Sequence, residues 1–116
     1  NDMSIVTILN TGGVKAFFGG DISAEKEKAL AEKFDVDVDI LKTSHHGSRF
    51  SSNLEFLKEA SPLISLIEVG KNSYGHPTRE ALSRLASIGS QIYRTDKNGL
   101  IKIVLDNQKL KLYSTH

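Results

Sequence analysis

Three short stretches carry side chains that packing does not call for: Gly20-Asp21, Ser44-His45-His46-Gly47-Ser48 and Tyr74-Gly75-His76-Pro77. Asp21 follows two glycines that let the backbone approach another group closely, and a carboxylate held there can offer both oxygens to a pair of cations. Adjacent histidines let one imidazole of His45 and His46 bind a metal while the other contacts an anion or works as an acid. Gly47 and Ser48 add accessible backbone N–H groups, and Arg49 follows directly with a charge that suits a phosphate. Pro77 holds His76 away from helical backbone, and Tyr74 brings a hydroxyl donor. The candidate sets are therefore Asp21, His45 and His46 for metal and Ser48, Arg49 and Tyr74 for substrate, with the His76 imidazole presented from a stiffened loop beside them. Each stretch also has a plain reading. Gly-Gly-Asp-x-Ser suits a strand-to-helix turn capped by Asp21 or Ser23, and Tyr-Gly-His-Pro suits a helix-entry turn ahead of a Thr78 cap.

The elements that must position these groups follow from periodicity. Ile5, Val6, Ile8 and Leu9 lead to Thr11-Gly12-Gly13, and Val14 to Phe18 resumes the run, which predicts a hairpin. Ser23 caps a helix over residues 24–34, with Leu30 and Phe34 on one face and a charged, solvated outer face. Val36, Val38 and Ile40 alternate with Asp37 and Asp39, a strand running through Leu41 into the His-His loop. Ser52-x-x-Glu55 has capping-box spacing for a short helix ended by Pro62, and the apolar run 63–69 predicts a strand buried on both faces. A third helix starts after Thr78 and stops at Gly89. Three strands close the chain, over residues 91–94, 100–105 and 109–113, with a turn at Asp96-Lys97-Asn98-Gly99. The fold class is α/β, a mixed sheet with three helices.

Composition narrows the function classes. The 116 residues are about one domain, and 15 basic against 14 acidic residues leave a net charge of +1, so affinity for nucleic acid must be local. Lys42, Arg49, Lys71, Arg79 and Arg94 are the cations near the three loops. Absence of cysteine excludes thiolate ligands, disulfides and cysteine nucleophiles. One carboxylate and three imidazoles are a donor set for Zn²⁺ or Mn²⁺. No Gly-x-Ser-x-Gly elbow or Gly-x-Gly-x-x-Gly turn is present, and no apolar run approaches the roughly 20 residues that span a bilayer.

Taken in order, Asn1-Asp2-x-Ser4-Ile5-Val6, Gly20-Asp21, Val38-Asp39-Ile40-Leu41-Lys42, Ser44-His45-His46-Gly47-Ser48, Gly70-Lys71-Asn72-x-Tyr74-Gly75-His76-Pro77 and Tyr93-Arg94-Thr95-Asp96 with Gly99 resemble the C-terminal part of the metallo-β-lactamase-like domain of ComEC-type competence proteins. The resemblance implies an αββα sandwich, of which residues 1–116 form the C-terminal half. It implies a dinuclear centre bridged by Asp21, with one of His45 and His46 as a ligand and His76 as a substrate contact or proton donor. It also implies a metal-dependent nuclease or phosphodiesterase of DNA uptake, in an extracytoplasmic soluble domain of a plasma-membrane protein that carries a DNA channel.

The family's His-x-His-x-Asp-His motif does not occur in the sequence. The expectation is therefore a segment that binds divalent metal weakly by itself and completes its site with an N-terminal half of the same domain. A sheet face left open would also favour self-association. Two other readings stand beside this one: a non-catalytic binding or scaffold module with a half-sandwich fold, and a metallohydrolase of a small phosphoester.

Overall fold

The computed structural model describes residues 4–116, so Asn1 and Asp2 of the family match lie outside the described residues. Five strands form one sheet in sequence order: β1 (Thr7–Thr11), β2 (Val14–Phe18), β3 (Ile40–Lys42), β4 (Ile64–Ile67) and β5 (Gln91–Arg94). β1 pairs antiparallel with β2, and every later pairing is parallel. The helices α1 (Ala24–Lys33), α2 (Leu54–Ala60) and α3 (Arg79–Ser87) lie in the parallel crossovers. A separate antiparallel hairpin, β6 (Ile101–Asp106) with β7 (Lys109–Ser114), follows.

The mixed sheet is as expected, and several local readings are corrected. Among the described residues there are four α-helices, because Thr95–Asn98 forms a single-turn helix, α4, where a plain turn was expected. Asn98 Oδ1 accepts from Arg94 N–H, which folds that turn back on its own start. The strand expected from Val36 begins only at Ile40. Val36 and Val38 are buried nonetheless, and Val38 N–H bonds to Ala60 O outside any ladder. The cap of α2 is Asn53, whose Oδ1 accepts from Phe56 N–H, and not Ser52, which sits in left-handed backbone at φ 59°. In β4, Ser65 and Ile67 are buried while Ile64 and Leu66 are half-buried, so the strand is covered unequally on its two faces.

The main core lies under the helices, where Phe17, Ile22, Leu41, Phe56, Leu57, Ile67 and Leu85 are almost fully buried. The other sheet face meets the β6–β7 hairpin across an apolar cleft of about 260 Å³, with Phe18, Ile40 and Leu66 on one wall and Ile103, Leu105 and Leu110 on the other. Ile67 has no exposed surface, so Ile67→Val is expected to lower stability by about 1 kcal/mol, read as a shift in urea midpoint.

A second correction concerns α1. Its charged face is not uniformly solvated: Glu27 is 1% exposed, whereas Phe34, expected on the buried face, is 62% exposed. Phe34 caps the helix in extended backbone, and the chain turns away before its ring reaches the core.

Candidate active site

Parallel strands β2, β3 and β4 all end at the same edge of the sheet, the usual place for ligand-binding loops in α/β folds. Asp21 follows β2, the two histidines follow β3, and the Tyr-Gly-His-Pro loop follows β4. The imidazole of His46 approaches Asp21, with Nε2 3.9 Å from Oδ1. His45 and His76 meet edge to face at 5.9 Å between ring centroids, and Tyr74 lies 5.9 Å beyond His76. The four candidate groups therefore share one edge.

The left-handed backbone of the His-His turn makes this possible. His45, His46 and Gly47 have φ of 54°, 53° and 80° in succession. Two non-glycine residues in that region cost roughly 1–3 kcal/mol each, so surrounding bonds must hold them. His45 N–H donates to Gly20 O at 2.7 Å, which ties the turn to the backbone next to Asp21. Gly47 O accepts from both Thr78 N–H at 2.9 Å and Thr78 Oγ1 at 3.2 Å. A Cβ on Gly47 would stand 2.7 Å from Pro77 Cβ, so only glycine lets the loops touch this closely.

His46 Nδ1 lies 2.7 Å from Glu68 O. A carbonyl can only accept, so Nδ1 carries a proton, and in the neutral ring Nε2 is the lone-pair nitrogen on the side of Asp21. This distinguishes the two histidines, which residue type alone leaves equivalent. A carbonyl-anchored imidazole beside a half-exposed carboxylate is a donor pair that fits a divalent cation. Among the described residues, no group of three or more His, Asp or Glu side chains is placed to hold a metal ion. The neighbouring cleft, about 240 Å³, is lined by His46, Glu68, Lys71, Asn72, Tyr74 and His76. Partial burial, then the charges of His45 and His46, hold His76 below the ordinary histidine pKa, which favours the neutral imidazole near pH 7.

The other candidates are distributed unevenly. Arg49 stacks its guanidinium 4.9 Å from the Phe50 ring centroid, and with Tyr74, His76, Arg79 and Glu80 it borders a second groove of about 450 Å³. Ser48 is buried at the groove floor, with Oγ accepting from Phe50 N–H, so its hydroxyl shapes the turn. Arg94 makes a two-point contact with Asp96 at 2.8 and 3.0 Å and holds that carboxyl below its usual range.

Two contributors were not picked out from the sequence. Asn72 braces the Tyr-Gly-His-Pro loop, donating to Gly70 O and His76 O and accepting from Tyr74 and His76 N–H. An Asn two residues ahead of Tyr-Gly is a recognisable side-chain turn and could have been read so. Glu27 gave no such sign, since a Glu on a charged helix face looks solvated.

No family model matches the chain. Over 110 residues it is 34% identical to ComE operon protein 3 of Bacillus subtilis, with 93% of this chain aligned. It is 31% identical over 121 residues to competence protein ComA of Neisseria gonorrhoeae, with 97% aligned. The chain is a homologue of ComEC-type competence proteins. Recombination protein 2 of Haemophilus influenzae is similar too, at 25% identity over 113 residues. This competence homologue spans 14% to 18% of the length of those relatives. Among its described residues no helix is long and apolar enough to cross a membrane.

Proposed function

We propose that the chain supplies part of the active site of a metal-dependent phosphodiesterase, a nuclease acting in DNA uptake. The observation that carries this reading is the His46 ring, anchored through Nδ1 to Glu68 O with Nε2 turned to Asp21. Asp21 and His46 are the residues that would hold the cation. Bound there, a Zn²⁺ or Mn²⁺ ion would supply an activated water and polarise the phosphodiester. His45 and neutral His76, side by side, offer imidazole N–H groups to a phosphate oxygen. Arg49 adds charge at the groove mouth, and Tyr74 extends the same wall.

Two donors fall short of the three protein ligands that a catalytic zinc takes. The remaining donors in this reading come from outside residues 4–116, from an N-terminal half of a metallo-β-lactamase-like sandwich packed against the sheet face beside the β6–β7 hairpin. The membrane channel of the same parent would be a further partner, and the domain would lie on the outer side of the plasma membrane. A second copy on that sheet face is the alternative occupant. Support for DNA over a small phosphoester comes from the larger groove, where exposed Phe50 and Tyr74 flank Arg49 and Arg79.

The chain alone is expected to leave single- and double-stranded DNA uncut on addition of Mn²⁺ or Zn²⁺, and to cut once joined to the missing donors. Rapid chelator-sensitive cleavage by the chain alone would overturn the shared-site proposal. Arg49→Ala is expected to weaken binding of a single-stranded oligonucleotide more at low salt than at high salt, lowering the salt slope by about one ion. Fluorescence anisotropy across a salt series reads this directly, and parallel slopes would remove Arg49 from the phosphate path.

A further inference from the structure

Glu27 lies outside the catalytic proposal and is the most buried ionisable group among the described residues, at 1% exposure. Its Oε1 accepts from Asn53 N–H at 2.8 Å, the residue at which the His-His loop ends and α2 begins. Ser44, where that loop starts, also bears on the carboxyl electrostatically. Neither Ser44 Oγ nor Ser52 Oγ has a well-formed hydrogen bond, although both are fully shielded from solvent. One carboxyl on α1 thus holds the far end of the segment that carries His45 and His46.

The same two pieces of chain are joined at three further points. His45 N–H donates to Gly20 O, Ala24 N–H to Phe50 O at 2.7 Å, and Ser51 Oγ to Ile22 O at 2.6 Å. Of these four links, the one to Glu27 is the only one made by a carboxyl. From the opposite side, Arg84 Nη1 of α3 donates to Arg49 O and Ser51 O, which closes the loop between two helices. The linked pieces are those that deliver Asp21 and His46.

From this arrangement we infer that Glu27 is a positioning residue, whose buried carboxyl fixes the His-His loop against the Asp21 turn and so sets the orientation of His46 towards Asp21. The inference deepens the metal-site reading and rests on it for its catalytic meaning. Packing alone would not need a carboxyl. An apolar side chain of the same length would fill the space without desolvating a charge, yet would leave Asn53 N–H unanswered.

The test compares Glu27→Gln, which keeps an acceptor for Asn53 N–H, with Glu27→Met, which keeps length and removes it. Two readouts are taken without metal: amide exchange at Asn53, normalised to β3 and β4, and the ¹⁵N shifts of the His46 ring, which report its tautomer. Gln is expected to keep Asn53 exchange within threefold of wild type and the Nδ1–H tautomer intact. Met is expected to speed Asn53 exchange at least tenfold and to mix the tautomers. Unchanged readouts in Met, or loss of both in Gln, would overturn the inference, and the Gln arm decides should Met fail to fold. Neither readout involves metal or cleavage, so failure of the nuclease reading would be seen separately.

Discussion

Replacement of His46 by Ala, in a protein that carries the remaining metal donors, is expected to reduce metal-dependent phosphodiester cleavage about a thousand-fold, equivalent to about 4 kcal/mol of barrier. Asp21→Asn is expected to do the same, since an amide keeps the shape of the carboxylate and loses its charge. His45→Ala should cost less, because its ring faces His76 and not Asp21. In the isolated chain the corresponding experiment is Mn²⁺ titration followed by nuclear magnetic resonance. Broadening is expected first at His46 and at the residues around Asp21, and it should vanish in His46→Ala. A loss of activity below tenfold, or broadening that begins elsewhere, would place the metal centre away from this pair.

The second large effect is a dependence of stability on pH carried by Glu27. Burial is the main cause that pushes its pKa from 4.5 up to about 7, against the lowering influence of Asn53, Ser44, Ser52 and Arg84. In the unfolded chain this carboxyl gives up its proton near its ordinary pKa, while the folded protein keeps it up to about 7. Between those values the unfolded state binds fewer protons, so raising the pH favours unfolding. The cumulative loss is roughly 3 kcal/mol across that window and levels off above it. Urea unfolding at pH 5, 6, 7 and 8 measures the slope. Glu27→Gln should flatten it by about that amount, and identical slopes in the two proteins would show that the folded carboxyl ionises normally.

How much of this could be read from the sequence depended on whether a local cause governed the outcome. Ser23 and Thr78 do cap α1 and α3, accepting from Lys26 and Ala81 N–H, because a helix cap is settled within four residues. A mixed sheet followed from strands alternating with helical spacing, whereas β5, read among the closing strands, joins the parallel set beside β4. The capping-box spacing pointed to Ser52, but the cap of α2 is Asn53, whose N–H is held by Glu27, 26 positions away. Val36 and Val38 alternate like a strand, yet their neighbour across the gap is the end of α2, where Ala60 O accepts from Val38 N–H. At the site, residue types pointed to Asp21, His45, His46 and His76, and their common edge is where the strands deliver them. Which histidine faces Asp21 could not be read, because that choice is made by Glu68 O, a backbone atom with no residue-specific sign.

The close approach of Gly47 to Pro77 couples the two histidine-bearing loops into one mechanical unit. Any displacement of the turn holding His45 must carry the neighbouring imidazole along, since Thr78 grips the same carbonyl from the far side. Substrate entering the groove would thus meet a jaw whose two backbone segments shift together, leaving the ring torsions as the finer adjustment.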